Sequence, residues 1–313
     1  MSSKREVPRI SLMSYVNGNR SDQIHFIDSI YAGLKEYGFV ILTDHTIDQK
    51  KVDKAYEYVN EFFRLPQELK LKYKQDNGGQ RGYTPFGTEH AKDNNSPDLK
   101  EFWHVGRELS NDSPYKGVYP ENIWPKEISE FKGAFTELYN TMDATSGVLL
   151  DAIGKSLDLP EAYFREMIRD GNSIIRTIHY PPTKGQDTRN SIRAAAHEDI
   201  NLITMLVGAT DSGLQLLDRD GTWLDVDSRP GEIVVDTGDM MSRITNDVLP
   251  ATTHRVINPD NDDSERYSMP FFVHPHSNAV LSCIPACRGE GAKYPDITAG
   301  DFLMQRLKEI GLY

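Results

Sequence analysis

NLITMLVGATDSGLQLLDRDGTWLDVDSRPGEIVVD, residues 201–236, is the stretch whose reading decides the fold. It holds three short apolar or alternating segments, NLITMLVG, GLQLLD and GEIVVD, parted by the turn signals DRDG and SRPG. Runs of this length bounded by Gly, Pro, Asp and Ser read as β-strands. Others of the same kind flank them. SIIRTIHY (173–180) comes before, and ATTHRVI (251–257), RYSMPFFV (266–273) and AVLSCI (279–284) come after. Short strands at this spacing predict an all-β sandwich or barrel, such as a jelly roll.

Outward from that core, the first half of the chain reads as mostly helical. Ser21 and Asp22 offer an N-cap for a helix over 22–38, where Ile24, Ile27, Tyr31 and Leu34 recur at helical spacing and Gly38 supplies the stop. FVILT (39–43) reads as a buried strand. A second helix is predicted over 48–65, with Val52, Ala55, Val59 and Phe62 on one face, and Pro66 suits the start of a further short one. Residues 75–99 are rich in Gly, Asn, Asp and Pro and read as a long loop, a type of segment that often binds ligands. Helices are also predicted over 125–157, over EAYFREMI (161–168) and over the final segment from 299. Neither a repeat nor a linker divides the chain.

The bulk composition narrows the function. The chain has 313 residues, 38% hydrophobic and 26% charged, as ordinary globular proteins do. Its 35 Lys and Arg against 47 Asp and Glu give a formal charge of −12, which opposes binding to a nucleic-acid backbone. No apolar run reaches the length of a membrane span, and the N-terminus lacks the apolar stretch of a secretory signal. The two cysteines, Cys283 and Cys287, exclude a zinc site built from three or four thiolates and are expected as free thiols. A monomer in the reducing cytoplasm is expected, with a small molecule as partner and neither nucleic acid nor membrane.

Of nine histidines, only His197 is followed at the second position by Asp, namely Asp199. Residues i and i+2 of an extended segment share a face, so one strand end presents both to one ion. His254, in the predicted strand TTHRV, offers a third ligand. Two imidazoles and a carboxylate on one side of a metal are the ligand set of non-haem Fe(II) centres with positions left open. His274 and His276 form a competing His-x-His pair, but Pro275 between them points to a structural or pocket-lining role. Arg266 and Ser268 are again i and i+2. A guanidinium grips a carboxylate through two bonds and the hydroxyl adds another, an arrangement that suits a dicarboxylate such as 2-oxoglutarate. Tyr180, in IHYPPTKG, has a phenol to give to the same carboxylate. The acidic run DNDD (260–263) reads as a solvated hairpin tip, since it lacks the spacing of a calcium loop.

Taken in order, the segments resemble the isopenicillin N synthase-like branch of the Fe(II)/2-oxoglutarate-dependent dioxygenases over nearly the whole chain. VPRISLMSY, EYGFVILTDHTID, GYTPFGTEH, PDLKEFWHVG, IRTIHYPP, HEDINLITMLV, GLQLLDRDGTWLDV, GEIVVDTGDMMSRITND, THRV and ERYSMPFFV follow in the family's sequence. The resemblance implies a mainly β core with flanking helices: a double-stranded β-helix, or jelly roll, over 166–313 with a C-terminal helix. A helical N-terminal region over 1–165 precedes it, and the two form one structural unit. It implies that His197, Asp199 and His254 bind Fe(II), and that Arg266, Ser268 and Tyr180 bind 2-oxoglutarate. The implied reaction uses O2 and couples decarboxylation of 2-oxoglutarate to succinate with hydroxylation or other C–H oxidation of a small molecule. Substrate contacts are expected from the 75–99 loop, Phe102, Met241, Phe271 and the C-terminal helix. PDLKEFWHVG resembles the loop before the family's long helix. The chain departs from the plant pattern at Ile178, where Asn is usual, which removes a polar contact near the iron and co-substrate.

Three rival readings stand beside this one. Related oxidases keep the Arg-x-Ser pair without using 2-oxoglutarate, so Arg266 and Ser268 do not by themselves decide co-substrate use. Breakdown of 2-oxoglutarate to ethylene is a second. A non-catalytic binding protein on the same fold is a third, opposed by the complete ligand set.

Overall fold

The computed structural model describes residues 5–76, 78–89, 97–184, 191–258, 261 and 263–309. Among the described residues twelve strands run in chain order: β1 (Arg9–Ser11), β2 (Phe39–Thr43), β3 (Gly82–Thr84), β4 (Glu101–Gly106), β5 (Ile174–Tyr180) and β6 (Ala194–His197), then β7 (Ile203–Val207), β8 (Leu214–Leu217), β9 (Trp223–Asp225), β10 (Ile233–Thr237), β11 (His254–Val256) and β12 (Arg266–Val273). Eight form one sheet in the order β1-β2-β10-β7-β12-β5-β4-β3, and four form a second in the order β6-β11-β8-β9. All pairings are antiparallel except β1 with β2. This is the expected jelly roll, two sheets facing each other across a common interior.

Strand alternation sorts side chains between two environments. In β2, Val40 and Leu42 join the main core, while Phe39 and Ile41 join a separate cluster with Leu216, Val226 and Val234 between the sheets. The main core lies under three long helices, Arg20–Tyr37, Gln49–Phe63 and Phe131–Ser156, which cover the outer face of the large sheet. Phe62 sits at its centre, 4.7 Å from the Trp103 ring and edge-on to it. The predicted face Val52, Ala55, Val59 and Phe62 is fully buried there.

Several expectations need correction. The first long helix is capped by Asn19, whose side chain accepts from the Ser21 and Asp22 amides while Asp22 reaches back to the Asn19 amide. It buries Phe26, Ile30 and Leu34, and Ile24 is half exposed. A full apolar stripe there is wider than the four residues picked out by spacing, and packing chose the neighbouring rows. EFWHVG is no loop: it forms β4, buried at every position, between β3 and β5. Strand β3 itself falls inside the expected 75–99 loop. AVLSCI makes only a single bridge, Val280 to Thr298. The long helix starts at Phe131, and the last described helix spans Ala299–Glu309. The DNDD run falls partly outside the described residues. Strands β1 to β4, all from the first 165 residues, lie in the same sheet as β5, β7, β10 and β12. Among the described residues, no helix is long and apolar enough to cross a membrane.

Gly38 joins the first long helix to β2 with φ of 68°, the left-handed region that a side chain disfavours. A Cβ there would stand 2.1 Å from Thr252 Oγ1. Gly38→Ala is therefore expected to cost at least about 1–2 kcal/mol. Urea unfolding checks this, with a lower midpoint at unchanged slope as the expected result.

Candidate metal centre

Strand register brings the three predicted ligands together. His197 ends β6 and is the direct partner of His254 on β11, with ring centroids 4.5 Å apart. Asp199 follows two residues on, and its Oδ1 lies 3.8 Å from His197 Nε2 and 3.9 Å from His254 Nε2. The three donor atoms all lie within 4.8 Å of one another, the sole cluster of this kind among the described residues. Each imidazole is fixed from behind. His197 Nδ1 donates to Ala195 O at 2.7 Å and His254 Nδ1 to Thr252 O at 3.1 Å, so both Nε2 atoms keep their lone pairs. Asp199 Oδ2 accepts from the Thr204 hydroxyl, which in turn accepts from Asn201 Nδ2 at 2.9 Å. Burial and the neighbouring His254 ring hold the His197 imidazole down at about 4, in the neutral form that ligates. Asp236, on β10, is pushed well up by burial and by the neighbouring Asp199.

A cavity of about 70 Å³ between the sheets is lined by the triad together with Arg266, Ser268 and Tyr180. Arg266 and Tyr180 are register partners on β12 and β5, with the guanidinium 5.0 Å from the ring centre. Arg266 Nε donates to Asp211 O at 3.1 Å, but its buried Nη1 has no protein partner. An unpartnered guanidinium nitrogen next to a buried hydroxyl matches the carboxylate expected here, since leaving a buried donor unpaired is costly. The donor set of the triad likewise fits a divalent iron.

A larger cavity of about 400 Å³ opens beside it, and Lys100, Arg176, His197, Asp199 and Phe272 wall both. Gly78, Gln80, Glu89 and Asp98 bring the predicted loop to this cavity, and Leu303, Arg306 and Leu307 bring the last described helix. Arg306 Nε is 3.0 Å from Asp239 Oδ2. None of the three expected substrate contacts lines either cavity. Phe271 and Met241 are fully buried in the main core, Phe271 edge-on to Tyr139 at 5.2 Å. Alternation puts Phe272, not Phe271, in the cavity. Phe102 lines neither cavity but lies under the Arg176 guanidinium at 4.2 Å. His274 lines the larger cavity, whereas the His276 ring pairs with the Tyr115 hydroxyl at 2.7 Å, so the His-x-His pair shares no site. Cys283 and Cys287 are free and buried.

Sequence reading missed a buried polar bank. Lys100 Nζ is 2.8 Å from both Glu89 Oε2 and Asp98 Oδ2, and Arg176 Nη1 donates to both Glu89 oxygens. These cations hold the Glu89 carboxylate well below its usual range against the pull of burial. The available signal was Arg176 itself, a lone charge inside the apolar run IIRTI.

The model of the non-haem dioxygenase N-terminal region, described for morphine synthesis, matches residues 7–127, and that of the 2OG-Fe(II) oxygenase superfamily matches residues 171–275. A 2-oxoglutarate-Fe(II) type oxidoreductase of Emericella nidulans, hxnY, is 33% identical over 284 residues, covering 87% of this chain and 81% of the relative. A protein described as of the 2OG-Fe(II) oxygenase family from Caulobacter crescentus has a solved structure with TM-score 0.87 and 42% identity, over 96% of this chain and 98% of that one. A full-length Neurospora crassa protein, solved in complex with alpha-KG and thymine, gives TM-score 0.87 at 26% identity over 98% of each chain.

Thr204→Val removes the hydroxyl behind Asp199 and keeps its shape. An anaerobic metal titration is expected to show affinity reduced by about 10–100-fold. Unchanged affinity would remove Thr204 from the support of the site.

Proposed function

Because the chain belongs to the 2OG-Fe(II) oxygenase superfamily, we propose that His197, Asp199 and His254 hold its Fe(II) and that Arg266, Ser268 and Tyr180 hold the distal carboxylate of 2-oxoglutarate. The protein is a non-haem Fe(II)- and 2-oxoglutarate-dependent oxygenase, and its family acts on small molecules. When bound, the iron supplies the chemistry that joins O2 consumption and loss of CO2 from 2-oxoglutarate to oxidation of a substrate C–H bond.

The observation that carries the residue assignment is the buried, unpartnered Nη1 of Arg266 in the same small cavity as the triad. Arg266 neutralises the far end of the dianion, Ser268 and Tyr180 orient it, and the near end is left facing the three ligands. The carbonyls of Ala195 and Thr252 and the hydroxyl of Thr204 keep those ligands aimed before any ion arrives, so little reorganisation is needed on binding. Phe39 closes one side, 5.6 Å from the His254 ring, and helps exclude water. The larger cavity is the substrate chamber in this reading, and its size suits a small organic molecule. The complex of the Neurospora crassa protein with thymine supports a substrate of that scale. The charge of −12 supports a partner that is neither nucleic acid nor an acidic membrane, and we take the working form to be a cytoplasmic monomer.

Anaerobic calorimetry tests the assignment. His197→Ala is expected to abolish Fe(II) binding, and retained binding would rule out the ligand set. Arg266→Met is expected to weaken 2-oxoglutarate by about a hundredfold, the value of a buried charge-assisted pair, with metal affinity little changed. An unchanged 2-oxoglutarate affinity removes Arg266 from that role. Iron-loaded protein that neither binds nor consumes 2-oxoglutarate would put the oxidase reading in its place.

A further inference from the structure

Arg176 projects from β5 on the same side as Ile174, Ile178 and Tyr180, and walls both cavities. Its guanidinium is held on three sides. Nε donates to His104 Nε2 at 2.6 Å, and His104 Nδ1 donates in turn to Gly79 O at 2.5 Å, which fixes the accepting tautomer. Nη1 donates to Glu89 Oε1 at 3.2 Å and Oε2 at 3.1 Å. The Phe102 ring lies 4.2 Å away and the Phe272 ring 5.3 Å. Nη2 alone has no hydrogen-bond partner among the described residues.

The acceptors around it are already engaged. Both Glu89 oxygens take Arg176, and Oε2 takes Lys100 as well. Asp98 Oδ1 takes the Ala195 amide and Oδ2 takes Lys100. An ammonium has three N–H groups and Lys100 uses two of them. This wall therefore offers the cavity donors and few acceptors. The net charge points the other way. Among the described residues, six carboxylate residues line the larger cavity against three Lys and Arg, and bound Fe(II) and the 2-oxoglutarate dianion would cancel each other. An anionic substrate meets repulsion from this excess, and a cationic one has its N–H groups set against N–H groups. An uncharged acceptor satisfies both conditions. Ile174, Phe272, Leu303 and Leu307 give its carbon body an apolar seat.

We infer that Arg176 is the substrate-binding donor of this oxygenase and that its substrate is an uncharged small molecule presenting a carbonyl oxygen, as in an amide, imide or lactam. The inference rests on the iron and 2-oxoglutarate reading above.

The test is calorimetry without O2 on the full chain loaded with Fe(II) and 2-oxoglutarate. The neutral probes are 2-piperidone, glutarimide and uracil. The charged counterparts are 6-oxopiperidine-2-carboxylate, orotate and piperidine. At least one neutral probe is expected to bind, and more tightly than its charged counterpart. Arg176→Gln and Arg176→Lys, the second keeping the charge without the planar fork, are each expected to weaken that probe by about tenfold or more. A merely structural Arg176 would lower the melting temperature and leave the affinity of the neutral probe unchanged. That result in either folded variant, binding of none of the neutral probes, or preference for the charged ones overturns the inference. A chain that fails to load iron and 2-oxoglutarate overturns the earlier reading together with this one, whereas failure after loading overturns this one alone.

Discussion

Alternation of side chains along strands buried on both faces is the constraint on which everything else depends. A strand covered by helices on one side and by a second sheet on the other has no solvent face. Every second residue must therefore suit the core and the rest must suit the interior. In β12 the odd positions Tyr267, Met269, Phe271 and Val273 join the helices' core, and the even positions Arg266, Ser268, Pro270 and Phe272 line the small cavity. In β5 the parity is the same, with Ile175 in the core and Arg176, Ile178 and Tyr180 on the cavity side. A one-residue slip of either strand would turn its polar residues to the core and its oily ones to the cavity.

The interior is also where the fold holds its most demanding charges. Lys100, Glu89, Asp98 and Arg176 are each largely removed from solvent, and apolar residues of the same volume would often be as stable or more so. Such a group is poor evidence of a stability device. Its bonds instead fix the direction of each N–H, and the Asp98 bond to the Ala195 amide ties the bank to the strand that carries His197. The polar bank and the triad therefore meet on one backbone segment.

Much of this was legible in the sequence, for identifiable reasons. Arg266 and Ser268 are an i and i+2 pair inside β12, so strand geometry alone puts them on one face, whereas Asp199 lies two residues past the end of β6 and meets His197 through the segment that follows. The cavity face of β12 was read one residue out at Phe271 because two phenylalanines stand side by side and hydrophobicity does not distinguish them. Counting from Arg266 gives Phe272. Met241 is a core residue of the short helix Asp239–Ile244, whose orientation depends on packing against distant elements. β4 was obscured by the Gly- and Pro-rich run before it, and its buried Glu101 makes sense only beside Lys70, Tyr83 and His179, which are distant in sequence. The Lys100–Glu89–Arg176 contacts likewise join three separate segments, and the lone charge in IIRTI marks only one of the partners.

The five residues shared by the two cavities tie them together. Lys100, Arg176, His197, Asp199 and Phe272 form a common threshold between the small inner chamber and the larger outer one. A molecule seated in the outer chamber stands across that threshold. An occupant of either chamber therefore meets the same five side chains, so filling one changes the walls of the other. A change of shape or charge at any one of them is felt in both chambers at once.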